Sequence, residues 1–272
     1  MKEKDKNTGH QILLRSLTLA GYTPSRREAR ALLTESPHVA GYINNFGKLT
    51  NVVRLSITAD CSWDVLSAAG PSVLDFIGRQ KPRELYLSLI DDLPTSVLVF
   101  SLTHASTVSF NTVTVETITN QSGQLPKACP AVTALSLFDS DGVDNLLSRE
   151  DFSPYTTNLR TLSIGRSQVQ PEMRSPVLPA DWRISSSTCH LCSIPYHLPY
   201  LPALRSIDFR LFFFDATHEA LLTAMLTSFV PFIPSTLRVI SVTDYGIFPA
   251  VCAVFALAGQ LLEERGGAVV FP

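Results

Sequence analysis

The chain has 272 residues, of which 45% are hydrophobic and 17% charged, with a formal net charge of −2. That balance describes a folded protein with a sizeable core and excludes intrinsic disorder. There is no basic excess to hold a phosphate backbone, and no run of about 18 apolar residues to span a bilayer, so neither nucleic acid nor membrane is an expected partner. The five cysteines, Cys61, Cys129, Cys189, Cys192 and Cys252, are scattered and odd in number, as expected of reduced thiols. The polar opening MKEKDKNTGHQ leads into no cleavage pattern, so a cytoplasmic or nuclear location is expected.

Residues 1–24 form a poorly defined N-terminal segment, in which Ile12, Leu13, Leu14, Leu17 and Leu19 suit a short helix or a strand equally. Residues 25–48 read as a helical cap. Pro24 suits a first turn, Ala29, Leu32 and Leu33 supply an apolar side, and Ser36-Pro37 ends the helix.

From residue 49 a spacing of the type L-x-x-L-x-L takes over. It runs through LTNVVRLSI (49–57), PRELYL (82–87), LTHASTVSF (102–110), CPAVTALSL (129–137), TNLRTLSI (157–164), LPALRSIDF (201–209) and LRVISV (237–242). The strand positions begin at Leu55, Leu85, Val108, Leu135, Leu162, Ile207 and Ile240, separated by 30, 23, 27, 27, 45 and 33 residues. Residues two apart in a strand share a face, so Leu162 and Ile164 both turn inward while Leu159 steers the chain into the strand. One such unit cannot bury its apolar face alone, but stacked units can. The spacing therefore predicts an α/β, leucine-rich-repeat-like solenoid, a curved parallel sheet with helices or irregular segments on its convex side.

Helices are expected between the strands. Ser62 and Ser72 stand as N-caps, Gly70-Pro71 separates the first two helices, and residues 94–102 and 143–149 form short ones. Residues 218–230 and 250–265 carry a 3.6-residue apolar period; Gly266-Gly267 caps the second helix, and 268–271 fit a last strand. The repeat domain, 49–272, is interrupted at about 168–203 by a Pro/Ser-rich insertion.

Residues alternating with the core positions are the candidates for recognition: Arg54, Tyr86, Ser136, Arg160, Ser163, Asp208 and Arg210, with Ser56, Ser88 and Ser241 beside them. Their expected ligand is another protein. Metal-like spacing occurs in Cys189-His190-Leu191-Cys192 with His197, which offers thiolate and imidazole ligands to zinc. This is the basis of the alternative reading, a zinc- or thiol-dependent enzyme or a zinc-stabilised domain. A lone C-x-x-C is a weak signal, because structural zinc sites recruit a second ligand pair. Cys61, Asp64 and His38 or His104 are the material of a thiol triad, yet no nucleophile-elbow motif and no phosphate-cradling glycine loop accompanies them. The expectation is a protein that is not an enzyme and carries no cofactor.

ALLTESPHVAGYI (31–43), the paired repeats VVRLSI…VFSL (52–102) and LPALRSIDFRL (201–211) resemble the repeat region of fungal F-box/leucine-rich-repeat proteins, over about residues 25–246. The resemblance implies a substrate-recognition arm of an SCF-type ubiquitin ligase. Residues 1–24 hold no Leu-Pro-x-Glu-type F-box opening, so a ligase adaptor is an expected partner only through an F-box upstream. The repeats also lack the family's asparagine three residues past the last strand position, where Asp60, Ile90, Val113, Ser140, Ser167, Phe212 and Tyr245 stand.

Overall fold

The computed structural model describes residues 16–20, 52–68, 73–116, 129–140, 142–143, 150–166, 201–211, 230, 233–244 and 249–271. Among these residues the strands are β1 (Ser16–Ala20), β2 (Arg54–Ser62), β3 (Glu84–Leu93), β4 (Thr107–Val115), β5 (Ala134–Phe138), β6 (Thr161–Arg166), β7 (Ser206–Leu211), β8 (Val239–Asp244) and β9 (Ala268–Val270). They form one parallel sheet of nine strands in sequential order. The helices are α1 (Trp63–Ala68), α2 (Val73–Gln80), α3 (Thr95–His104) and α4 (Pro249–Glu263), with a 3-10 turn at Glu150–Tyr155. The protein is thus α/β with a single parallel sheet.

The register follows the sequence spacing. Leu55, Leu85, Val108, Leu135, Leu162, Ile207 and Ile240 pair in succession to make one continuous row across the sheet. Ile57, Leu87, Phe110, Leu137, Ile164, Phe209 and Val242 make a second row above it, and both rows are buried. Sequential parallel strands need a crossover after each one, and crossovers of a single hand in a sheet growing one way all fall on the same face. The inward rows accordingly share one core with Trp63 of α1, Ile77 of α2, Val97, Leu98 and Leu102 of α3, Phe152 of the 3-10 turn, and Phe255, Ala258 and Leu262 of α4.

Residues 16–20, which fit helix and strand equally as sequence, form the strand β1, whose backbone register sets Leu17 against Leu55 and Leu19 against Ile57. The expected helix at 94–102 is α3, running from Thr95 to His104. The expected helix at 250–265 is α4, with its last two expected residues, Glu264 and Arg265, in a turn instead. There the Gly267 N–H donates to the Leu262 carbonyl at 2.8 Å and the Gly266 N–H to Glu263 at 3.0 Å, with Gly266 at φ +70°. These are the paired bonds of a Schellman cap, which needs a left-handed residue where they meet. A Cβ on Gly267 would lie 2.2 Å from the Arg238 carbonyl oxygen, so only glycine lets β9 reach β8. The expected cap at 25–48, the helix at 218–229 and most of the insertion, 168–200, lie outside the described residues.

A shared device recurs within β3 and β4 and just past β5. Leu89, Thr112 and Asp139 have φ of 56°, 53° and 45°, and each stands two residues after an inward residue, Leu87, Phe110 or Leu137. The left-handed residue shifts the alternation by one, so that Ile90, Val113 and Ser140 turn inward and are fully buried. This is the position where the asparagines are missing. Ser140 meets the need of a buried polar group there, its hydroxyl donating to the Phe138 carbonyl at 2.9 Å and accepting from the Val113 N–H at 3.3 Å. Ile90 and Val113 bury hydrocarbon instead.

Two substitutions separate packing from backbone strain. Leu162→Ala removes a fully buried side chain from the central row and is expected to lower the urea unfolding midpoint by the equivalent of about 2–5 kcal/mol. Thr112→Gly relieves a β-branched residue of a left-handed conformation and is expected to raise it by about 0.5–1 kcal/mol, the strain relief exceeding glycine's added entropy cost.

Candidate interaction face

Alternation along each strand places the remaining side chains on the face opposite the core. Ser56, Tyr86, Ser109, Ser136, Ser163, Asp208, Ser241 and Val270 pair in succession to form its central row. Five of the seven candidate residues fall on this face in two clusters, and Ser136 lies between them. Arg160 does not belong to it.

The first cluster spans β2 and β3. Arg54 Nε donates to Glu84 Oε2, and the Tyr86 hydroxyl donates to the same oxygen at 3.1 Å. The guanidinium carbon of Arg54 also stands 5.4 Å from the centre of the Tyr86 ring, within reach of a cation–π contact. Register explains the meeting: Arg54 and Glu84 are direct partners, and Tyr86 is two residues along the same face. The bond from Arg54 holds the Glu84 carboxyl below the usual glutamate range. Burial, then the bond to Glu84, pushes the Tyr86 phenol up. Glu84 was missed as a sequence candidate because it opens its strand, although its parity with Tyr86 was available.

The second cluster spans β6 and β7. Asp208 Oδ2 accepts from Ser163 Oγ at 3.0 Å and from Arg210 Nε at 2.8 Å. Beside it Phe138 packs across Gly165. A Cβ at Gly165 would meet the Phe138 ring at 2.5 Å and Arg210 Cβ at 3.0 Å, so glycine is what lets the ring lie flat between strands. Phe138 and Gly165 were also missed; their signal was the same alternation, read one position beyond Ser136 and Ser163. Past β7 the face gains exposed apolar side chains, Val239 and Val270, beside Ser241 and Thr243.

Arg160 is a correction. It precedes β6, has the parity of Leu162, and contributes its backbone carbonyl to the Arg205 and Ser206 N–H groups at 2.8 and 3.0 Å. Its exposed side chain therefore stands at the edge where the strands begin, not on the face between Leu159 and Leu162. The spacing L-x-x-L places two residues between apolar positions, and only the second belongs to the strand.

The Cys189, Cys192 and His197 cluster lies outside the described residues, among which no group of three or more His, Cys, Asp or Glu side chains is placed to hold a metal ion. His104 stacks on Phe100 with ring centres 3.9 Å apart, and its Nδ1 lies 2.9 Å from the Phe100 carbonyl, so it is engaged within α3. Among the described residues no helix is long and apolar enough to cross a membrane. The chain matches no protein-family model, no curated protein and no solved structure.

The first cluster predicts a pH signature. Because the folded Glu84 carboxyl titrates below its ordinary value of 4.5, its ionised form contributes stability above that pH, and the contribution is lost as pH falls through the lowered value. Glu84→Gln is thus expected to be less stable than wild type at about pH 7, with the gap narrowing as pH is lowered below the ordinary glutamate range, read from urea midpoints. A gap of unchanged size would show that the ion pair contributes nothing.

Proposed function

We propose that the chain is a non-enzymatic protein-binding module of the leucine-rich-repeat kind, similar in role to the substrate-recognition arm of an F-box receptor. It holds an extended segment of its partner against the open face of the sheet. The observation that carries this reading is the single row of eight paired outward residues, uninterrupted from Ser56 to Val270. Parallel sheets are ordinarily covered on both faces by apolar contacts, so a polar outer face belongs to a sheet built to meet something else.

The chemistry of the face supports a peptide ligand. From Tyr86 in β3 to Asp208 in β7 is four interstrand steps, about 19 Å, which about six residues of extended chain would cover. Tyr86 and Phe138 offer ring surface to apolar side chains, and the serine hydroxyls between them donate to or accept from a peptide backbone. Arg54 and Arg210 are exposed and held by carboxylates on the face, so their orientation is set before binding. Coupling to a ligase adaptor would need an F-box outside these residues.

Site-specific photo-crosslinking tests the proposal. A benzophenone side chain at Ser136 or Ser241 is expected to capture the same protein partner, and one at Ser96, on the helix-bearing side, none. Tyr86→Ala with Arg210→Ala is expected to reduce the Ser136 adduct by about tenfold or more, as for loss of anchoring contacts. Capture from Ser96 alone would place the binding surface on the connectors and reject the proposal.

A further inference from the structure

The displaced Arg160 belongs to a second row. The residue immediately before each strand from β2 to β9 is, in order, Val53, Arg83, Ser106, Thr133, Arg160, Arg205, Arg238 and Gly267. Backbone bonds join this row as they join the sheet. Glu84 N–H donates to Val53, Thr107 to Arg83, Thr133 to Ser106, Arg160 to Thr133, Arg205 to Arg160, Arg238 to Arg205, and Ala268 to Arg238, all at 2.8–3.0 Å. Arg160, Arg205 and Arg238 therefore stand on consecutive strands, at a spacing of about 4.8 Å from one to the next. All are exposed.

The last rung is extended by Arg265. Its Nη1 donates to the carbonyls of Ile233 and Pro234 at 3.3 and 3.2 Å, while Arg238 Nη1 donates to those of Ser235 and Leu237 at 2.6 and 2.9 Å. One turn thus gathers two guanidinium groups and fixes them through one nitrogen each. Arg160 and Arg205 form no ion pair among the described residues. The nearest acidic residues in sequence to this edge are Glu263 and Glu264, beside Arg265 at the end of α4. At the other end of the sheet the acidic residues belong to β3–β5, where Asp91 and Asp92 precede the last residue of β3 and Glu116 and Asp139 follow β4 and β5.

We infer that the strand-start edge of β6–β9 binds an extended acidic protein segment, separately from the open face. From Arg160 to Arg265 the edge is about 14 Å long, which a run of four or five acidic residues would span. The basic residues of this edge, Arg160, Arg205, Arg238 and Arg265, are all arginine, and the planar guanidinium offers paired N–H donors that fit a carboxylate. An acidic peptide is favoured over a nucleic acid because the residues flanking these arginines in the strands, Thr161, Ser206 and Val239, present no aromatic ring on which a base could stack.

Fluorescence polarisation on the full chain with a labelled short polyglutamate peptide, and separately with an oligouridylate, tests this. Arg160→Ser and Arg205→Ser are each expected to weaken peptide binding by about fivefold and the pair by more than about tenfold, with binding that falls as salt rises. Arg79→Ser, which removes the same charge from an exposed site on α2, is expected to change it by less than about twofold. Arg205→Lys, keeping the charge without the fork, is expected to fall between wild type and Arg205→Ser, which also serves should the serine variant fail to fold. No peptide binding, an equal loss from Arg79→Ser, or tighter binding of the oligouridylate would overturn the inference. None of these outcomes bears on crosslinking from Ser136.

Discussion

The interaction on which everything else rests is the stacking of one apolar residue per strand along a continuous row, Leu55 through Ile240. Each member is buried in one core with its neighbours in the row and the elements packed behind it. Full burial of one such side chain contributes about 1.5–3 kcal/mol, and ordering a single repeat of more than twenty residues costs far more. No repeat can therefore hold its shape alone. Stability accumulates at the contacts between repeats, and a one-residue slip of any strand would turn its row toward water.

That row also decides what the opposite face can be. With strands added in sequence and the described connectors packed against one side, the core among the described residues lies on one face of the sheet. The other face is left to polar side chains, which alternation supplies without further instruction. Its ionic clusters are local products of register: Arg54 opposite Glu84, and Ser163 opposite Asp208. The start of the strands is a different surface, because a residue just before a strand is freed from the alternation while its backbone is still tied to the next repeat. Arg160 sits there. Face and edge thus offer two chemistries, one of hydroxyls, rings and paired charges, the other of arginines.

The uneven separations, from 23 to 45 residues, are tolerated because extra chain can loop out between strands without disturbing the row. What each repeat must preserve is its passage into and out of the sheet. On the way in, side chains fasten repeats to one another: Asn158 Nδ2 donates to the Pro130 carbonyl and Thr236 Oγ1 to that of Pro202. Further along, a left-handed residue at Leu89, Thr112 and Asp139 restores an inward position at Ile90, Val113 and Ser140. Ser140 shows that a hydroxyl can satisfy a buried N–H there, and Ile90 and Val113 that hydrocarbon can fill the place.

The amino-acid sequence alone determined the strand positions and their inward residues, because burial imposes a period of two that survives substitution among Leu, Ile, Val and Phe. It also determined that Tyr86, Ser136, Ser163, Asp208 and Arg210 share the face opposite the core, which follows from the same period. It did not distinguish helix from strand around Leu17 and Leu19, where the apolar residues of 12–19 suited both periods until β2 offered an edge to pair with. Nor did it reveal that Glu84 completes the Arg54–Tyr86 cluster, that Phe138 lies over Gly165, or that Arg160 joins Arg205 and Arg238. Those pairs are separated by 27 to 45 residues, and only the register between strands brings them together. Periodicity is a property of one segment and can be read there. Adjacency between segments depends on how the chain closes its crossovers, and tertiary structure alone decides it.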